Sequence, residues 1–124
     1  MKDRIPYAAN VPGDFYVEDG CCTMCGVPFV AAPELFGIWH DYRGYEHCYV
    51  TRQPTDPDEM EKMIETIARA DLRCIRYRGH DPAILKRLIQ IGEREICDDS
   101  PERILKRLGS LIRRNWRARS NADK

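Results

Sequence analysis

Six cysteines, Cys21, Cys22, Cys25, Cys48, Cys74 and Cys97, are the densest reactive chemistry in this 124-residue chain. Thiolates are nucleophiles and soft metal ligands, so the first question is whether four of them can converge. Cys22 and Cys25 form a C-x-x-C pair, a spacing that places two sulfurs on one tight turn. A zinc site needs two ligands more, and His40, His47, Cys48 and Cys74 are the candidates. No second C-x-x-C pair accompanies the first, so a remnant pair, packed or free in a loop, is the plainer reading. A thioredoxin-type dithiol needs a strand before it and a helix start beneath it, and Cys21 next to the pair would scramble such a site.

The other reactive side chains assemble into nothing catalytic. His40, His47 and His80 have no neighbouring nucleophile and carboxylate that would complete a triad. Asp98-Asp99 and Asp56-x-Asp58-Glu59 read as charge at helix N-termini rather than as acid–base pairs. A phosphate-cradling glycine loop is missing from the sequence. The expectation is therefore a protein that is not an enzyme.

The elements that must position these residues can be read in order. Asp14 to Glu18 reads as a short strand, followed by the cysteine loop and by one or two helical turns over 27–32, between Pro28 and Pro33. Leu35 to Trp39 and Tyr45 to Val50 read as a hairpin, with Tyr45, His47 and Tyr49 on one face and Glu46, Cys48 and Val50 on the other. Asp56, Pro57 and Glu59 give an N-cap, a first-turn proline and a capping-box partner. Met60, Met63, Ile64, Ile67 and Ala68 then repeat at helical spacing. Arg73 to Tyr77 reads as a last strand. Helices follow from Asp81-Pro82, with Gly92 as their stop, and from Ser100-Pro101, with a stripe of Ile104, Leu105, Leu108, Leu111, Ile112 and Trp116.

The net charge is zero, but it is divided. The last 24 residues carry eight Lys/Arg against two acids, leaving the first hundred acidic by six. The basic tail alternates with an apolar stripe and lacks aromatic interleaving, which argues for packing rather than nucleic-acid binding. No apolar run is long enough for a membrane span, and Met1-Lys2-Asp3-Arg4-Ile5-Pro6 has no apolar leader. A cytoplasmic location follows as an expectation, and with it reduced thiols rather than a disulfide framework.

Several segments together resemble the bacterial single-cluster ferredoxins. They are Val11-Pro12-Gly13-Asp14-Phe15-Tyr16-Val17, Cys22-Thr23-Met24-Cys25, Ala32-Pro33-Glu34-Leu35-Phe36, Tyr49-Val50-Thr51-Arg52-Gln53-Pro54 and Ile75-Arg76-Tyr77-Arg78-Gly79. The resemblance runs over roughly residues 11–92 and implies an α+β fold. That fold is a ferredoxin-like small antiparallel sheet with helices over 1–79, plus a C-terminal helical extension over 80–124 packed on it. The family's cubane cluster takes three cysteines at C-x-x-C-x-x-C and a remote one before proline. Here the third local position is Pro28, and the remote Cys-Pro falls at Ala70-Asp71. Neither Pro28 nor Ala70 can bind iron, so the resemblance implies a degenerate member without its cluster.

The resulting expectation is a cofactor-free protein that works through its surface, with a protein partner. An immunity protein or inhibitor that neutralises a cognate bacterial toxin fits, with an acidic body meeting a basic active site. Asp41, Glu46, Asp56, Asp58, Glu59 and Glu61, on the hairpin and the long helix start, are the partner-binding candidates. The alternative is a small electron carrier or metal protein with a non-standard iron–sulfur or zinc site, built from Cys22 and Cys25 with Cys48 or Cys74, or with Cys21 as a substitute.

Overall fold

The computed structural model describes residues 4–22, 24–40, 42–44, 46–70 and 72–109. Within them the chain is a mixed α+β protein. In order it forms β1 (Phe15–Val17), α1 (Val27–Ala31), β2 (Phe36–His40), β3 (Glu46–Val50), α2 (Pro57–Arg69), β4 (Ile75–Tyr77) and α3 (Pro82–Gln90). A single 3-10 turn (Arg94–Ile96) and helical residues 101–109 complete it. The strands form two antiparallel pairs, β1 with β4 and β2 with β3. Phe15 faces Tyr77 in the first, and Phe36 faces Val50 in the second.

The helices form where local chemistry dictates. Asp56 accepts from the Glu59 N–H at 2.8 Å, and Glu59 reaches back to the Thr55 N–H at 3.0 Å, so both ends of the capping interaction hold α2. Met63, Ile64 and Ile67 are the buried face of α2. Asp81 caps α3 through Ala83 and Ile84, and Gly92, at φ 79, takes the left-handed position after its end. Ser100 accepts from the Arg103 N–H at 3.3 Å at the start of the last helical stretch.

No ladder joins the two sheets among the described residues. Side-chain amides do it instead. Phe15 and Val17 turn their backbone groups away from β4, toward β3. Asn10 Oδ1 accepts from the Val17 N–H at 3.2 Å and from the Val50 N–H at 2.9 Å, while its Nδ2 donates to the Val17 and Tyr7 carbonyls. Gln53 pairs in the same way with both backbone groups of Phe15. A Cβ on Gly13 would lie 2.3 Å from the Gln53 Cδ, so only glycine leaves room for this clamp.

One apolar core runs through all of this. Val17, Leu35, Val50, Met63, Leu85, Leu88 and Ile96 are completely buried in it. Ile104 joins it, with Leu105 and Leu108 packed at its edge, so the helical residues after 100 share the core of the strands. Leu111, Ile112 and Trp116 lie outside the described residues.

Two features depart from the sequence reading. A short segment returns to the sheet, where Cys97 bridges Tyr77 in parallel and the Asp98 N–H donates to the Tyr77 carbonyl at 3.0 Å. Arg76 is buried beside this segment; its Nε donates to Asp98 at 2.7 Å and its Nη2 to the Glu95 carbonyl. The Tyr16 hydroxyl also donates to Asp98, and burial first, then this carboxylate, push that phenol up. Second, Cys21 and Cys74 form a disulfide where reduced thiols were expected. The cause is the β1–β4 pairing: the Glu18 N–H donates to the Cys74 carbonyl at 2.9 Å, placing the residue before β4 against the loop after β1. No helix among the described residues is long and apolar enough to cross a membrane.

Candidate metal centre

The loop between β1 and α1 is tightly wound. Gly20 and Gly26 take positive φ, and so does Met24, at φ 56. This winding turns Cys22 inward and leaves Cys25 exposed. Two backbone N–H groups converge on the Cys22 sulfur, from Met24 at 3.4 Å and from Cys48 at 3.3 Å. N–H groups aimed at one sulfur are the second-shell pattern that holds and tunes a metal-bound thiolate.

Cys48 comes from the middle of β3 and is buried. Burial, and then the Cys22 and Cys25 thiols beside it, push its own thiol well up from the ordinary cysteine value. The ligand atoms of Cys22, His47 and Cys48 all lie within 4.8 Å of one another. A cavity of about 20 Å³ opens beside them, lined by Cys22, Cys25 and Cys48, by Cys74 just before β4, and by Pro28 and Ala70. Elements far apart in the chain thus bring four cysteine side chains to one pocket wall. Pro28 and Ala70, the two positions where a cubane ligand would be expected, line the same cavity.

His47 is near but already committed. Its Nε2 accepts from the Gly20 N–H at 3.1 Å, and its Nδ1 lies 2.8 Å from the Cys48 carbonyl. That network puts the proton on Nδ1 and leaves neither nitrogen free. Its ring stacks on Tyr7 with centroids 3.7 Å apart. His47 buttresses the loop and β3, and a sulfur set is the better ligand group. His40, on the exposed end of β2, pairs with Glu46 at 3.6 Å, outside the pocket.

The acidic candidates have other work. Glu59 is buried, and its carboxylate is shared between Thr55 and an ion pair with Arg52. Asp56 caps α2, and Glu61 pairs with Arg87 at 3.3 Å. Glu46 and Asp58 are exposed. Asp41 lies outside the described residues. Among the described residues, Asp56, Glu59 and Glu61 are thus engaged within the fold, the first two because the start of α2 uses them for itself.

Sequence reasoning placed Cys22 and Cys25 together and kept Cys48 and Cys74 as alternatives. The structure brings both to the pocket. The missing signal was strand register, which decides that Cys48 rather than His47 lines the cavity beside Cys22. Comparison with family models, with curated proteins and with solved structures gave no match for this chain.

Proposed function

We propose that this chain is a metal–thiolate protein on a degenerate ferredoxin-like scaffold. Cys22, Cys25, Cys48 and Cys74 hold a single soft ion, zinc or iron, where the family holds a cubane. The carrying observation is the lining of the pocket. Two retained ligand positions, two lost ones at Pro28 and Ala70, and two further cysteines all face one cavity. The strand–helix–hairpin–helix–strand order and the β1–β4 pairing also support the ferredoxin-like reading.

The loss of ligand atoms at Pro28 and Ala70 favours one ion over a cubane. Tetrahedral zinc–sulfur bonds of about 2.3 Å set sulfurs about 3.8 Å apart, and the Cys22 and Cys48 sulfurs already lie within 4.8 Å of each other; Cys25 and Cys74, on the same cavity wall, have to close in on them. Cys74 would serve as a ligand once reduced, as its thiolate. Zinc would tie the cysteine loop, β3 and β4 together without redox chemistry; iron in the same ligands would carry one electron.

The test is metal analysis of the reduced protein, with cobalt(II) as the spectroscopic probe. One ion per chain and tetrahedral thiolate bands, both weakened by Cys22→Ser or Cys48→Ser, are expected. A reduced chain that binds no cobalt or zinc overturns the reading. Inorganic sulfide with a brown colour would replace it by a rebuilt cluster.

A second reading, a non-catalytic binding protein of the inhibitor or immunity kind, is favoured by a different surface. Ile38, Trp39 and Tyr42 of the β2–β3 hairpin are exposed, Tyr42 almost entirely, with Ile5 exposed as well. A protein partner would use this apolar side more readily than the internally paired acids. Charge reversal at Glu46 and Asp58 should then leave binding unchanged, whereas Trp39→Ala should weaken it.

A further inference from the structure

We propose that the Cys21–Cys74 disulfide is a redox gate on the metal site, with Cys21 and the ion competing for the same Cys74 sulfur. This rests on the metal-site reading above and adds its regulation. Cys74 lines the cavity and is also bonded to Cys21, whereas Cys21 itself is not part of the cavity wall. The adjacent Cys22 is. Cys74 is thus the one residue that both lines the cavity and is bonded to Cys21. In the disulfide form three thiols remain at the cavity, Cys22, Cys25 and Cys48. In the dithiol form there are four.

The chemistry closes with an ordinary dithiol as reductant. One thiolate of the reductant attacks a sulfur of the Cys21–Cys74 bond, forming a mixed disulfide and releasing the other cysteine. The second thiolate of the reductant then displaces the protein sulfur and closes its own disulfide. Two electrons and two protons pass to Cys21 and Cys74. Cys74 gives its proton to solvent as it takes the ion, completing a tetrathiolate site. A small-molecule disulfide as oxidant reverses both exchanges, removes the fourth ligand and loosens the ion.

The gate is tested by cobalt(II) and zinc competition against a chromophoric chelator, with the full chain in its reduced and disulfide forms. Mass spectrometry confirms the loss of two hydrogens and maps the linkage. The disulfide form should bind at least about 100-fold more weakly than the reduced form, since losing even a supporting partner of a ligand costs about 10–100-fold. Cys21→Ser should bind like the reduced wild type under both conditions, because Cys74 then stays free. Cys74→Ser should bind weakly under both. Equal affinity of the two wild-type forms overturns the gate and leaves the metal site standing with Cys74 outside it. Absence of binding by both the reduced wild type and Cys21→Ser overturns the metal site itself. The wild-type comparison needs no variant to fold, so the gate is decided even if Cys21→Ser does not.

Discussion

Replacing Asn10 by alanine should cost more stability than any other single change to a polar, half-buried side chain in this fold. The amide makes four hydrogen bonds, two accepted and two donated, and they are the stitch between β1 and β3. Alanine would orphan the N–H groups of Val17 and Val50, residues with no exposed surface. Each orphaned buried donor costs about 1–3 kcal/mol. Water entering at the half-buried Asn10 position reduces the sum, so about 3 kcal/mol is the working figure. Against a total of about 5–15 kcal/mol this is a large loss. It corresponds to a fall in Tm of roughly 9–15 °C for a chain of this size. Thermal and urea melts measure it, and amide exchange at Val17 and Val50 should speed up selectively. Asn10→Asp keeps both acceptors but sets a carboxylate against the Val17 and Tyr7 carbonyls. Its folded-state value would be raised, so its stability relative to alanine is present at low pH and lost as pH rises. A melting temperature for Asn10→Ala within about 3 °C of wild type would refute this account of the seam.

Three further outcomes follow from the geometry. Leu85→Ala, at a fully buried position on α3, should cost about 2–5 kcal/mol by urea melt, whereas an alanine at the exposed Val30 should be nearly silent. The Arg94 guanidinium bonds both oxygens of Glu102, at 2.6 and 2.8 Å, and holds that carboxyl down to about 2 from the ordinary 4.5. The contribution of this pair is therefore present above about pH 4.5 and lost as pH falls through about 2; carboxyl NMR should show Arg94→Gln returning Glu102 toward its ordinary value. Burial pushes the Cys97 thiol up to about 11, so its contribution is present below pH 9 and lost as pH rises toward 11. In the folded chain at pH 8 iodoacetamide should label the exposed Cys25 well before Cys97.

What could be read in advance divides along a physical line. The long helix was legible from Asp56, Pro57 and Glu59 because capping is local chemistry, decided within one turn of chain. The first strand and the last were legible as apolar stretches, although each is shorter than it looked: β1 keeps three of five residues and β4 three of five. The hairpin was legible, but not the burial of its residues. Alternation put His47 and Cys48 on opposite faces, and both are buried, because Tyr7 covers one side of β3 and the core the other. The amide seam was invisible, since nothing local distinguishes Asn10 or Gln53 from an ordinary loop residue. The disulfide and the pocket were invisible for a related reason. Whether Cys48 and Cys74 reach Cys22 depends on the register of two strand pairs, and register is a property of the whole fold.

The short return of the chain at Cys97 and Asp98 bears on strand pairing between molecules. A two-stranded ribbon has two outer edges, and an open edge recruits strands from other molecules. The edge of β1 is filled by the amides of Asn10 and Gln53. The edge of β4 is filled at Tyr77 by the bridge from Cys97 and the Asp98 N–H. Arg76 and Tyr16, both holding Asp98, pin that cover in place. The residues beyond β4 thus act as an edge guard as well as a source of core. A chain cut before Asp98 would present the Tyr77 carbonyl as an unanswered acceptor, and intermolecular strand pairing would begin there.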